Sequence, residues 1–175
     1  RWRFIHIPKT GGNAFRKAYG YGTEEGHPHL PASFFPEILT VAVIRNPYDR
    51  LVSICCHLMK GLIGRNQQPH CVCPSMFEEW VLQDCPLTIA NGRVSAGYVV
   101  DKLKLTVKDP FYQWLDDTTK LIRYSHYQED CNDFLKHYLN RSPLVKLPQE
   151  NVSLRQALPL EAWYTNPSVK GYVKE

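Results

Sequence analysis

Lys9-Thr10-Gly11-Gly12-Asn13 places a cationic amine, a hydroxyl and two glycines at one turn, between the apolar run Phe4-Ile5-His6-Ile7 and the helix-compatible Ala14-Phe15-Arg16-Lys17-Ala18. Two glycines let a backbone fold closely around an anion. The first free N–H groups of the helix then point at that anion with the positive end of the dipole. Lys9 adds a point charge and Thr10 a hydroxyl to the same cradle. The order differs from the GxxxxGK[ST] loop, because here Lys-Thr precedes the glycines. A second grouping lies in Val43-Ile44-Arg45-Asn46-Pro47-Tyr48-Asp49-Arg50-Leu51-Val52-Ser53. Arg45 leaves the end of a buried run, and Ser53 follows nearly two helical turns into the next segment. An arginine fork plus a hydroxyl at that separation can grip a further phosphate. Two such sites at two strand ends imply a ligand with two separated phosphate-like groups.

These residues need a strand, a turn and a helix, used twice. The first strand is expected over Trp2–Ile7, with a helix from Asn13 to Tyr19 ended by Gly20-Tyr21-Gly22. The β-branched run Leu39–Ile44 reads as a strand buried in a parallel sheet. Asn46 then caps a helix with Pro47 at its first position and Asp49 in its first turn. Ser75 and Glu78 suggest a capping box opening a helix over Phe77–Leu82. Asp109-Pro110 starts a short helix carrying Trp114, Lys120–Tyr124 reads as a third strand and Glu129–Leu139 as a helix. A further short helix is expected near Val169–Glu175. Strands alternating with helices predict an α/β domain around a parallel sheet flanked by helices.

With 175 residues, 43% hydrophobic and 22% charged, the chain has a globular composition and room for a core. Its net charge of +4 suits an anionic ligand and falls short of a nucleic-acid binder. No apolar run approaches the roughly 20 residues of a membrane span. Of the six cysteines, Cys55 and Cys56 sit in a helical pattern and read as buried thiols. His70-Cys71-Val72-Cys73 lacks a second ligand pair at zinc spacing, so no metal site is expected.

His6-Ile7-Pro8-Lys9-Thr10-Gly11-Gly12 resembles the 5′-phosphosulfate loop of sulfotransferases that use 3′-phosphoadenosine 5′-phosphosulfate (PAPS). Arg45 through Ser53 resembles their 3′-phosphate motif, and the likeness is nearest to the carbohydrate branch of that family. The two motifs cover the first third of the chain. The resemblance implies one sulfotransferase domain over residues 1–175, short for the family and so open to truncation at either end, with a P-loop NTPase-like three-layer sandwich. It implies PAPS as co-substrate, adenosine 3′,5′-bisphosphate (PAP) as product, no metal, and a hydroxyl acceptor, here a saccharide. Lys9 would neutralise charge on the leaving oxygens, Thr10, Gly11, Gly12 and Asn13 would hold the 5′-phosphate, and Arg45 and Ser53 the 3′-phosphate. Asn13 departs from the Thr or Ser of many relatives, exchanging a hydroxyl for an amide.

A base must take the acceptor's proton, and histidine or glutamate suits that task near neutral pH. His29 is the first candidate, since members of this branch place a histidine in a similar His-x-x-Ala context; His27 and Glu37 remain open. His6 reads as packed or hydrogen-bonded. Tyr124, Tyr127 and Trp114 are candidate walls for adenine, and Lys146, Ser153 or Arg155 could add a phosphate contact. A P-loop kinase or NTPase is the alternative, as is a non-catalytic nucleotide-binding module. The kinase reading needs a strand-terminal Asp for magnesium, and Val43-Ile44-Arg45-Asn46 occupies that place. The lack of an apolar span and of patterned cysteines points to the cytoplasm, with the Golgi lumen as the alternative if an anchor lies outside the chain.

Overall fold

The computed structural model describes residues 1–22, 29–62, 72–86, 109–143, 146 and 158–173. The chain divides into two compact units, Arg1–Arg45 with Val100–Asn151, and Asn46–Val99 with Val152–Glu175.

The first unit holds β1 (Trp2–Ile5), α1 (Gly12–Tyr19), β2 (Leu39–Ile44), β3 (Lys120–Arg123) and α4 (Tyr127–Tyr138). The strands form a parallel sheet in the order β1-β2-β3, with Ile5 opposite Ala42 and Ile44 opposite Arg123. Side chains alternate across it, as a pleated strand requires. Trp2, Phe4, Val41, Val43 and Ile122 face one way, where Phe15 of α1 and Cys131 and Phe134 of α4 cover them. Phe4 and Phe15 stack at 4.5 Å between ring centroids. Ile5 and Ala42 face the other way, against Ala32, Phe35 and Trp114 from two 3₁₀ turns, Ala32–Phe34 and Phe111–Gln113. The turns are joined by the Ala32 N–H donating to the Trp114 carbonyl at 2.8 Å. The expected mixed α/β architecture with a parallel sheet is therefore present.

The second unit carries α2 (Pro47–Leu62), α3 (Pro74–Leu82), the 3₁₀ turn Leu160–Trp163 and α5 (Pro167–Lys170). Asn46 caps α2 as its sequence predicts, its Oδ1 accepting from the N–H groups of Tyr48 (2.9 Å) and Asp49 (3.3 Å). Phe77 meets Trp163 and Tyr164 edge to face, at 5.9 and 5.2 Å. The Tyr164 hydroxyl donates to the Tyr48 carbonyl at 2.7 Å.

Several boundaries move. β1 stops at Ile5, two residues before the expected end, because the Ile7 N–H turns back to the Ile5 carbonyl (3.1 Å) and Pro8 has no N–H to extend a ladder. α3 starts at Pro74 with Cys73 as N-cap, three residues ahead of the expectation; no side-chain cap forms, and the Ser75 hydroxyl instead contacts Cys73 Sγ at 3.1 Å. Proline at the first helical position sets that earlier start. The segment after Asp109-Pro110 is a 3₁₀ turn, and α5 ends at Lys170, started by Asn166 accepting from Ser168 N–H. Among the described residues no helix is long and apolar enough to cross a membrane.

Candidate functional site

All three strands point their C-terminal ends the same way, and the chain leaving them carries His6–Gly12, Arg45 and Tyr124. In open α/β sheets that edge is where ligands bind. The first exit is shaped by backbone signs. Lys9 (φ 65°) and Gly11 (φ 95°) are left-handed, and Thr10 between them is not. Alternation of this kind turns successive N–H groups toward one concavity, which favours anions. Gly11 is the N-cap of α1, whose start has no side-chain cap and no acidic residue in its first turn, while Arg16 and Lys17 occupy its last. The positive end of the helix dipole is thus left for an external anion.

Thr10 departs from expectation. It is fully buried, and its hydroxyl donates to the Ile7 carbonyl at 2.9 Å. Its one hydroxyl proton braces the turn, so Thr10 offers the concavity its backbone rather than the side-chain donor foreseen. Gly12 has no room for a side chain: a Cβ there would lie 2.5 Å from His6 Cδ2 and 2.8 Å from Phe4 Cζ. Asn13 is half-buried in the first turn of α1.

Arg45 reaches this turn directly, its Nη1 donating to the Lys9 carbonyl at 3.3 Å. Its guanidinium lies over the Tyr124 ring, 4.6 Å from the centroid. The Tyr127 hydroxyl donates to the Gly11 carbonyl at 3.1 Å, and burial pushes its pKa up, so it stays a neutral donor. Trp114 is fully buried in the sheet core and walls no exposed slot.

His29 sits beside the same turn. It is buried, its Nδ1 lies 2.7 Å from the His6 carbonyl, and its ring stacks on that of His6 at 4.6 Å. A carbonyl only accepts, so Nδ1 carries the proton and Nε2 is the basic nitrogen of neutral His29. His6 is buried as expected, yet its Nδ1 has no hydrogen-bond partner. Burial, then repulsion from His29 once that ring is protonated and from Arg16 and Lys9, holds its pKa down at about 3, so it stays neutral.

The structure thus brings Lys9, Thr10, Gly11, Gly12, Asn13, Arg45 and His29 together in the first unit. Ser53 belongs to the second unit, where it is buried on α2. Glu37 is exposed just ahead of β2, at the opposite edge of the sheet from the cradle. Lys146 is exposed, while His27, Ser153 and Arg155 lie outside the described residues, as do His70 and Cys71. Cys55 and Cys56 are buried and form no disulfide. Among the described residues no group of three His, Cys, Asp or Glu side chains is placed to hold a metal ion.

Sequence reasoning passed over the role of His6 as support for both Gly12 and His29, and that of Tyr127 as an anchor for Gly11. The Tyr127 contact spans 116 residues and has no local signal. The His6 carbonyl contact spans 23 and is equally silent in spacing. No family model, curated protein or solved structure matches the chain.

Proposed function

We propose that this chain is a sulfotransferase that takes PAPS as donor and moves its sulfuryl group to a hydroxyl, most plainly one on a saccharide. The finer fold reading, a P-loop-like three-layer sandwich, belongs to the same proposal. The observation that carries it is the clasp of Arg45 on the left-handed Lys9–Gly11 turn, with His29 alongside. The residues fit such a donor: a turn with left-handed Lys9 and Gly11 that opens a helix without a side-chain cap, a lysine and an arginine at neighbouring strand ends, and a glycine whose Cβ position is closed.

PAPS would supply the activated sulfuryl group and a phosphate leaving group. Gly11, Gly12 and Asn13 would hold the 5′-phosphate through backbone N–H groups, and Lys9 would offset charge there. Arg45 would bind the 3′-phosphate and so favour this donor over ATP. His29 would accept the acceptor's hydroxyl proton at Nε2, its tautomer fixed by the His6 carbonyl. His6, held neutral, adds no charge beside it. Transfer chemistry of this type depends on position and charge, which rigid turns at strand ends can provide.

The test is turnover: incubation with PAPS and a panel of saccharides, following bisphosphate release and acceptor mass. Acceptor-dependent release, reduced about 100-fold or more in Lys9→Ala and His29→Ala, is expected. Magnesium-dependent phosphate transfer from ATP would instead establish the kinase alternative.

A further inference from the structure

Tyr124 joins the two anion-binding elements at a place the mechanism above does not use. Its ring edge occupies the space beside Gly11, where a Cβ would lie 2.5 Å from Cε2 and 2.6 Å from Cδ2. The Arg45 guanidinium covers the same ring at 4.6 Å from the centroid, while Nη1 reaches the Lys9 carbonyl at 3.3 Å. One aromatic side chain therefore touches both the loop that carries Lys9 and the arginine from the neighbouring strand end.

The corner that presents Tyr124 is tied down on both sides. Asp130 of α4 accepts from the Arg123 backbone N–H at 2.7 Å and from its guanidinium at 2.9 Å (Nε) and 2.7 Å (Nη2). This staples the end of β3 to the first turn of α4, with the 3₁₀ turn Tyr124–His126 between them. Tyr127, its ring 5.9 Å from that of Tyr124, donates its hydroxyl to Gly11.

An arginine chain has many rotamers, and stacking on an aromatic face removes most of them while leaving the edge N–H groups to bind a phosphate. We infer that Tyr124 is a positioning residue for donor binding, holding the Arg45 guanidinium against the Lys9–Gly12 turn so that both cations meet one ligand. The inference rests on the proposed reading of Arg45 as a phosphate ligand. It also reassigns Tyr124 from the adenine slot foreseen in the sequence, since the guanidinium already lies over its ring.

The experiment is calorimetric titration of adenosine 3′,5′-bisphosphate into wild type, Tyr124→Phe, Tyr124→Leu, Arg45→Ala and the Tyr124→Leu/Arg45→Ala pair, with a melting curve for each. Tyr124→Phe keeps the ring face and is expected to bind as wild type. Tyr124→Leu keeps an apolar contact on Gly11 without a π face. At a side chain already 41% exposed it is expected to melt near wild type yet bind about 2- to 30-fold more weakly. The double variant is expected to bind no worse than Arg45→Ala alone, because the tyrosine acts through that arginine. Wild-type affinity in Tyr124→Leu, beside lost binding in Arg45→Ala, overturns the positioning role and leaves the donor reading standing. Additive losses in the double variant overturn it too, since Tyr124 would then touch the ligand itself. Failure of wild type to bind the bisphosphate removes the donor reading and this inference with it.

Discussion

Acidification from about pH 7 to about pH 5 is expected to destabilise this fold through His6. The imidazole is buried with an unpartnered Nδ1, and burial, then His29, Arg16 and Lys9, hold its pKa near 3, against an ordinary 6.5. In the unfolded chain it takes up a proton as the pH falls through 6.5, while the folded chain refuses one until about 3. Unfolded chains then bind more protons, so stability is full above 6.5 and declines through that window as the pH drops. Each pH unit inside it costs 1.36 kcal/mol, so at about pH 5 the loss is about 2 kcal/mol. That is a large share of the 5–15 kcal/mol by which domains are typically stable. The assay is urea unfolding at both pH values for wild type and His6→Asn. The variant loses packing at pH 7, but its pH dependence is expected to be flatter by about 2 kcal/mol. Asp130, held low by its hydrogen bonds from Arg123, lies below its ordinary 3.8 and does not titrate in this window. Equal pH dependence in the two proteins would refute the reasoning, because His6 would then not be a buried neutral group.

Four further outcomes follow from the same geometry. Gly11→Ala meets both a left-handed φ and the Tyr124 ring, and is expected to cost about 1–3 kcal/mol in urea unfolding and to weaken bisphosphate binding in calorimetry. Tyr164→Phe removes the hydroxyl bond to the Tyr48 carbonyl and is expected to cost about 0.5–1.5 kcal/mol, read from the shift in unfolding midpoint. His29→Ala is expected to keep donor affinity while losing turnover by a factor of about 100 to 10,000, a split between binding and rate that steady-state kinetics resolves. Cys73, partly exposed at the start of α3 with its pKa lowered by the Ser75 hydroxyl, is expected to alkylate well before buried Cys131, whose thiol burial pushes to about 12. Peptide mapping after brief iodoacetamide treatment reads that order.

The elements that position the site were legible because their signals are local. Leu39–Ile44 is β-branched and buried, Asn46-Pro47 caps and starts a helix, and Gly20 ends one. The cradle was legible for the same reason: Lys-Thr-Gly-Gly between a strand and a helix restricts the backbone to few shapes. What escaped depends on contacts distant in sequence. Thr10 turned inward because the Ile7 carbonyl, freed where β1 stops short, needed a donor. Tyr124 became a bridge only once register set β3 beside β2, bringing it next to Arg45. The early start of α3 was readable in principle from Pro74, but Ser75 and Glu78 offered a competing cap.

The most direct measurement is calorimetric binding of adenosine 3′,5′-bisphosphate to wild type and Arg45→Ala, against ADP and ATP with and without magnesium. Selective, magnesium-independent binding of the bisphosphate that collapses in Arg45→Ala is the predicted result. Equal or tighter binding of ATP, or bisphosphate affinity untouched by Arg45→Ala, would contradict the donor site at the Lys9–Arg45 clasp.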